Sequence, residues 1–552
     1  MPTLEWTGKD KVMNHHQNVP FRVLERSYSF DAAGHHKEDN GSENMIIHGD
    51  NLEALKALLP RYEGRVKCIY IDPPYNTGNE GWCYNDNVND PKMKKWLGEV
   101  VGKEGEDLSR HDKWLCMMYP RLKLLHKLLA DDGIIFISID DNEQANLKLA
   151  CDEIFGKNNL LAQLIWKSDG NFDNQAKIKV CHEYILSYFK NINRMGLPNG
   201  FDPTTNKNSK IFNKEIRNTI VKNGHKNPMS EIVLPIGFPS SVEDNTIHAR
   251  YNMYPHYLSN AIIKDYKLTN NVTVFSGWSS KKILENFISN KFDPVLDNKG
   301  QKTIFEITSS GAIEMVKARE YISHVLSVLN GLGSTQNMSN ELQHANIKFD
   351  FPKPVTLIEY LLKFYSDKDS IILDSFAGSG TTAHAVLNMN EQDGGNRTFI
   401  LVEMEDYADT TTAERVKRVI SGYGEGKNAV EGTGGDFSFY ELGEPLLLDA
   451  EHLNEAVGVE KIREYVWFME TKRPFVSVPN DNPFYLGSNN HVDYYFYYEP
   501  KTVTVLDYDF LTTLSGKADG TVIYADLCAL SEEQLTDLNI VFKKIPRDIA
   551  RL

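Results

Sequence analysis

The six cysteines of this 552-residue chain include no CxxC pair and do not cluster with its 16 histidines. A disulfide framework and a zinc-ribbon type of fold are therefore excluded, no metal site is expected, and the thiols read as reduced, as in a cytoplasmic protein. No run of about 18 apolar residues occurs, so no membrane-spanning helix is expected. Residues 1–44 are polar and His-rich and lack the apolar core of an export signal. There is no repeat period, no low-complexity block, no GxxxxGK[ST] phosphate loop and no recognisable nuclease motif. Positive charge is also scarce, with 60 Lys and Arg against 76 Asp and Glu for a net of −16. A phosphate-bearing partner would therefore need basic residues concentrated in one region.

What is present begins at Asp72-Pro73-Pro74-Tyr75, directly after the apolar run Val66–Ile71. Two successive prolines fix φ and carry no N–H, so the turn cannot close on itself and its carbonyls stay available. The Asp72 carboxylate and the Pro73 carbonyl are two acceptors beside an aromatic plate, Tyr75. An exocyclic base amine is a poor nucleophile because its lone pair is delocalised into the ring. Holding both of its hydrogens in acceptors localises that pair, while Tyr75 can stack on an extruded base. The plainer alternative is a turn that only ends a strand.

A second motif, Asp374-Ser375-Phe376-Ala377-Gly378-Ser379-Gly380-Thr381-Thr382, follows the apolar Ile371–Leu373 and opens a helical stretch. Strand, glycine turn and helix start let backbone approach a ligand closely and present free N–H groups to it. The spacing is not that of a dinucleotide site. The next apolar run, Thr398–Val402, ends in Glu403, placed to accept from ribose hydroxyls.

In these two motifs the chain resembles the amino-methyltransferases of DNA, and their order, with a large insert between them, resembles the β class. Its nearest likeness is the modification subunit of type III restriction-modification systems. The likeness extends over Ile46–Leu55, Ile134–Asp140, His182–Leu186, Phe351–Pro354, Gly432–Phe437 and Val522–Asp526. The resemblance implies an α/β fold, a doubly wound Rossmann-like sheet with an inserted target-recognition domain and a C-terminal α+β module. It also implies S-adenosylmethionine as cofactor and methylation of adenine N6 in double-stranded DNA by base flipping, the aspartate at the first motif position marking adenine over cytosine. Asp72, Pro73, Pro74 and Tyr75 would be catalytic. Asp50, Asp72, Lys353, Asp374, Phe376, Ala377, Gly378, Ser379, Gly380, Thr381, Thr382 and Glu403 would hold the cofactor, Asp50 also serving as a helix cap and Lys353 meeting the methionine carboxylate. A homodimer and a helicase-nuclease restriction partner are implied as well. The alternatives are cytosine N4 methylation, and a non-catalytic specificity subunit that binds DNA without turnover.

The charge distribution fits an insert that touches DNA. Residues 191–350 hold 18 Lys and Arg against 14 Asp and Glu, whereas 431–552 hold 10 against 21. The expected division is an N-terminal extension (1–44), a catalytic half (45–190), the inserted recognition domain (191–350), a cofactor half (351–430) and an acidic C-terminal module for subunit or partner contacts (431–552). Lys207, Lys210, Lys214 and Arg217, continued by Lys222 and Lys226, form a basic stretch that could follow a phosphate backbone; a solvated helix face is the other reading. Asn76 and the long polar segment after it, with Trp82 and Tyr84, are expected to meet DNA around the flipped base.

Overall fold

The computed structural model describes residues 4–77, 110–168, 177–206, 208–319, 323–448, 452–514 and 518–547. Lys207 and the segment 78–109, with Trp82, Tyr84 and the Lys92–Lys95 run, lie outside them. Among the described residues eleven strands form one mixed sheet: β1 (Arg22–Asp31), β2 (Gly34–His36), β3 (Met45–His48), β4 (Val66–Ile71), β5 (Leu129–Ile139), β6 (Leu160–Lys167), β7 (His182–Phe189), β8 (Val328–Leu329), β9 (Ile371–Asp374), β10 (Thr398–Glu403) and β11 (Asp436–Pro445). Their spatial order is β2-β1-β11-β3-β10-β9-β4-β5-β7-β6-β8. The six from β11 to β5 are mutually parallel. The pairs β1–β2, β1–β11, β5–β7 and β6–β7 are antiparallel.

Parallel strands are covered on both faces, which explains their near-continuous apolar runs. Alternate residues go to opposite sides because side chains alternate along a strand. Ile69, Ile71, Leu373, Ile400 and Val402 join one core with helices α1 (Asn51–Tyr62), α2 (Arg110–Leu128) and α3 (Gln144–Cys151). Cys68, Tyr70, Ile372, Phe399 and Leu401 join the other, with α4 (Thr335–His344), α5 (Val355–Lys363), α6 (Thr381–Asp393) and α7 (Glu414–Ser421). The chain thus leaves β4 toward one face and its neighbour β9 toward the other. The carboxyl ends of two strands whose chain diverges in this way are the usual ligand position in a doubly wound sheet.

The pair β6–β7 is covered on its outer side by β8, a two-residue parallel strand too short to register as an apolar run. Two features differ from the sequence reading. β1 and β2 belong to the main sheet, so residues 1–44 are not a separate extension. Asp436–Pro445 inserts as β11 between β1 and β3, which draws the start of the expected C-terminal module into the catalytic sheet. Beyond it, helix Val459–Thr471 packs on a four-stranded sheet of Tyr485–Asn489, Val492–Phe496, Gly520–Ala525 and Ile540–Lys544. The Trp467 ring meets Tyr494 edge-on at 5.6 Å.

Residues 205–324 form a second compact unit, narrower than the expected 191–350 insert. The remainder of that range folds with the main unit: Met338 and Leu342 of α4 are buried in its second core. Among its described residues the unit has three small antiparallel sheets and one α-helix, Lys281–Ser289, around its own core of Leu234, Phe238, Tyr257, Trp278, Phe287 and Phe305.

Candidate active site

Four adjacent parallel strands, β4, β9, β10 and β3, end on the same edge of the sheet, and each is followed or ended by a residue singled out from sequence. Asp72 leaves β4, Asp374 closes β9, Glu403 closes β10 and Asp50 lies two residues beyond β3. Motifs some three hundred positions apart in the chain are therefore neighbours.

In the first turn, the Tyr75 hydroxyl lies 3.0 Å from Asp72 Oδ1 and 2.8 Å from Glu183 Oε2, two carboxylate acceptors that share its single proton. Lys353 Nζ lies 2.9 Å from Asp72 Oδ2, 2.9 Å from the Tyr75 hydroxyl and 3.2 Å from Glu183 Oε2. Its ammonium also sits over the Tyr75 ring, 5.0 Å from the centroid. Burial pushes the Asp72 carboxyl above the usual carboxylate range; the Lys353 charge pulls it back and Glu183 adds to the rise. Burial opposes the Lys353 charge, but the Asp72 and Glu183 carboxylates outweigh it and hold the ammonium above its ordinary range. The Pro74 carbonyl accepts from Trp114 Nε1 at 2.7 Å, fixing the turn to α2. Pro73 is thus the proline whose carbonyl remains the candidate acceptor.

In the glycine turn, Asp374 organises both ends, accepting from Phe376 N at 3.0 Å and from the Thr382 hydroxyl at 2.6 Å. Gly378 (φ 52) and Gly380 (φ 81) take left-handed backbone that suits glycine. A Cβ on Gly380 would stand 3.2 Å from the Thr412 carbonyl oxygen. Glu403 accepts from Gly378 N at 2.7 Å, and the Thr412 hydroxyl donates to the Gly378 carbonyl at 2.5 Å. Phe376 and Ala377 are buried at the start of the turn. The Ser375 hydroxyl is buried without a partner among the described residues, and a hydroxyl so placed suits a polar ligand atom. Lys353 ties the two turns together, since its carbonyl accepts from the Thr381 hydroxyl at 3.3 Å while its ammonium faces Asp72. Its side chain is thus directed at the catalytic turn, where the sequence reading had aimed it at the cofactor.

Three buried residues not singled out from sequence hold this frame. Arg121, fully buried on α2, bonds Asn51 Oδ1 and lies 3.3 Å from Asp50 Oδ2. Asn51 in turn donates to the Ser375 carbonyl at 3.2 Å. Asp50 Oδ1 caps α1 by accepting from Leu52 N at 2.8 Å and Glu53 N at 3.3 Å, the capping role expected of it. Arg415 donates to Ser379 Oγ at 2.7 Å and Thr381 Oγ1 at 2.8 Å, and burial lowers it to about 10. The available signal was an arginine on an otherwise apolar helix face, which demands buried acceptors.

The nucleic-acid assignments change more. Asn76 is only 2% exposed and donates to Glu143 Oε1 at 2.5 Å and the Arg110 carbonyl at 3.1 Å. It anchors the turn from inside and does not face a duplex. Arg217 is held by Glu215 and Glu306, each at 2.8 Å, which occupies the guanidinium expected to meet phosphate. It lies on a strand, Glu215–Thr219, so the alternative of a solvated helix face is also set aside. Lys210 sits in a short helical turn, and Lys210 and Lys214 offer carbonyls to Arg319, leaving their side chains as the remaining basic candidates of that group.

Burial pushes Asp374 up to about 7 and Glu403 up to about 8, from ordinary values of 3.8 and 4.5. Below about pH 4 both groups are protonated whether the chain is folded or not. Between there and about pH 8 the unfolded chain ionises them first, so folding stability falls as pH rises through this window. The thermal midpoint of the cofactor-free protein is expected to drop from about pH 5 to about pH 9. Glu403→Gln should flatten part of that drop; equal slopes in the two proteins would show that Glu403 ionises freely.

A protein-family model described as DNA methylase matches residues 66–415. The chain is 34% identical over 432 residues to the Mod subunit of the type III restriction-modification enzyme EcoPI of Escherichia phage P1, a match covering 74% of this chain and 64% of that one. It is 31% identical over 446 residues to the EcoP15I Mod subunit of Escherichia coli, covering 73% and 64%. It is 29% identical over 407 residues to the type II methyltransferase M.KpnI of Klebsiella pneumoniae, covering 66% and 81%. The chain thus spans less than two thirds of the length of the two Mod subunits.

Proposed function

The chain belongs to the DNA methylase family whose model spans its residues 66–415, and from that premise we propose that it methylates the N6 amine of adenine in double-stranded DNA, with S-adenosylmethionine as donor. The observation that supports this most is the placement of the Asp72 turn and the glycine turn at the ends of adjacent parallel strands, bridged by Lys353. The residues present fit the donor. The left-handed glycines bring backbone close, Ser375 offers an unpaired buried hydroxyl, and Glu403 stands at the strand end suited to ribose hydroxyls. Bound there, S-adenosylmethionine supplies an electrophilic methyl group.

Asp72 and the Pro73 carbonyl accept the two amine hydrogens, which localises the nitrogen lone pair toward the methyl group. The Tyr75 ring stacks on the extruded adenine, its plane set by the hydroxyl bonds to Asp72 and Glu183. Burial strengthens each of these interactions at the moment the amine becomes cationic. The unit 205–324 serves as the target-recognition domain, with Lys210 and Lys214 among its phosphate contacts.

Incubating the protein with unmethylated bacterial DNA and isotopically labelled donor, then digesting to nucleosides for mass spectrometry, should yield labelled N6-methyladenine. Labelled N4-methylcytosine would replace the substrate assignment, and no labelled nucleoside would overturn the function. Single-molecule sequencing of the same DNA gives the recognition sequence.

The identities to type III Mod subunits support a role as the modification subunit of such a system, working with a restriction subunit. We read the assembly as a homodimer. Light scattering should then give about twice 62.8 kDa, and the monomer mass would exclude the dimer.

A further inference from the structure

Lys353 sits where a substrate amine has to go. Each Asp72 oxygen already carries a partner in this structure, Oδ1 the Tyr75 hydroxyl and Oδ2 the Lys353 ammonium. An arriving amine competes with both of them for the carboxylate, and a buried ammonium parted from its carboxylate is strongly unfavourable unless another counter-ion takes it. Glu183 is that counter-ion. It is carried on β7, separated from β4 by β5, and reaches back so that Oε2 lies 3.2 Å from Lys353 Nζ and 2.8 Å from the Tyr75 hydroxyl. Its side chain is 23% exposed against 8% for Lys353 and 13% for Asp72, so it forms the outer wall of the cluster.

Resting on the methyltransferase reading above, we infer that Glu183 is a positioning residue for methyl transfer: it takes Lys353 and the Tyr75 hydroxyl off Asp72 when the target amine enters, so that Asp72 is released without leaving a buried charge unpaired. Two carboxylates and one ammonium give the cluster one net negative charge, matched to the positive charge that grows on the amine nitrogen. As nitrogen bonds to the methyl carbon, the electron pair of the broken carbon–sulfur bond leaves with sulfur. The surplus amine proton passes to Asp72 and from there to solvent. The Tyr75 ring keeps its plane throughout because its hydroxyl bond to Glu183 persists. A residue serving only to hold the fold would have no reason to contact both groups that compete for Asp72.

The test is a double-mutant cycle on the full chain. Glu183→Gln should lower kcat about a hundredfold while the affinity for S-adenosylmethionine stays within about threefold, and Glu183→Asp should stay within about tenfold of the parent. Lys353→Met should lower kcat by itself, because two carboxylates then face one another unneutralised. Adding Lys353→Met to Glu183→Gln should cost nothing or restore activity, since the ammonium that can no longer be moved aside is gone. Losses that multiply would overturn the inference. A second readout needs no methyl donor. Using the mapped recognition duplex, the parent should bind target adenine more tightly than purine at the same position, because only adenine brings an amine to Asp72, and Glu183→Gln should lose that preference. An unchanged preference would also overturn it. A parent that methylates no DNA removes the functional reading, and this inference with it, whereas an active parent with multiplicative losses removes this inference alone.

Discussion

Asp72→Ala is expected to reduce methyl transfer by at least about a thousandfold while leaving the affinity for S-adenosylmethionine within about threefold of the parent. The separation follows from what each group touches. Asp72 bonds Tyr75 and Lys353, whereas the glycine turn is organised by Asp374, Glu403, Thr412 and Arg415. Removing the carboxylate takes away one of the two amine acceptors and frees the Tyr75 hydroxyl on one side. It does not orphan Lys353, which keeps Glu183 at 3.2 Å. The fold should therefore survive with a loss of roughly 1–3 kcal/mol, the cost of leaving a buried hydrogen-bonding group unsatisfied. Scintillation counting of labelled DNA together with calorimetric titration of the donor measures both quantities. Activity within tenfold of the parent would remove Asp72 from the chemistry, and lost donor affinity would mean that the two turns share one ligand contact.

This separation is possible because the frame of the site is built twice. Arg121 links Asp50 and Asn51 to α2, and Asn51 links to the Ser375 carbonyl, so the cofactor side is braced from one face of the sheet. Arg415 braces it from the other through Ser379 and Thr381. His384 beside Arg415 is held well below its usual range by burial and by the Arg415 charge, so it accepts from that guanidinium as a neutral ring. Turns gripped on both faces cost little reorganisation when a ligand arrives, which is the condition for electrostatic stabilisation of a developing charge.

The parallel core was legible because its strands are apolar on both faces and stop abruptly at Asp72, Asp374 and Glu403, where polar residues take over at the ligand edge. On helix α2 the apolar Leu115, Met118, Leu122 and Leu125 recur at helical spacing in the sequence, whereas the buried Arg121 between them does not register, since periodicity counts apolar positions and gives a buried charge no weight. The insert showed its presence but not its limits. Its ends fold back onto the main unit through α4, whose Met338 and Leu342 give too sparse a pattern to assign them to a particular core. Asn76 was assigned to nucleic acid because it adjoins the catalytic turn; its left-handed backbone (φ 57) turns the side chain inward to Glu143. Adjacency in sequence says which loop a residue shares, and only the local dihedrals say which way it faces. Glu183 lay in a stretch already noted, His182–Leu186, but its meaning depends on β7 lying one strand removed from β4, and strand order is not written in a local pattern.

Gly378→Val is the complementary experiment, expected to weaken S-adenosylmethionine binding by at least about a hundredfold and, through it, to abolish transfer. Gly378 has φ 52, a region in which a β-branched residue is a genuine outlier and in which left-handed backbone costs roughly 1–2 kcal/mol even for simpler L-residues. The chain can relieve that strain only by turning the peptide, and both sides of the peptide are engaged. Its N–H donates to Glu403 at 2.7 Å and its carbonyl accepts from Thr412 at 2.5 Å. Turning it would leave the Glu403 carboxyl, already pushed up to about 8 by burial, without one of its three backbone donors, Gly378, Met404 and Glu405. The group proposed to receive the ribose hydroxyls would then be held still more firmly in its protonated form and accept them poorly. Gly378→Ala, with one methyl and no β-branch, should fall between, losing about tenfold. Calorimetric titration of the donor into each variant, with a thermal melt to establish that it is folded, decides the matter: a folded Gly378→Val protein that binds S-adenosylmethionine as the parent does would move the donor away from this turn, and with it the alignment of methyl group and amine on which the proposed chemistry depends.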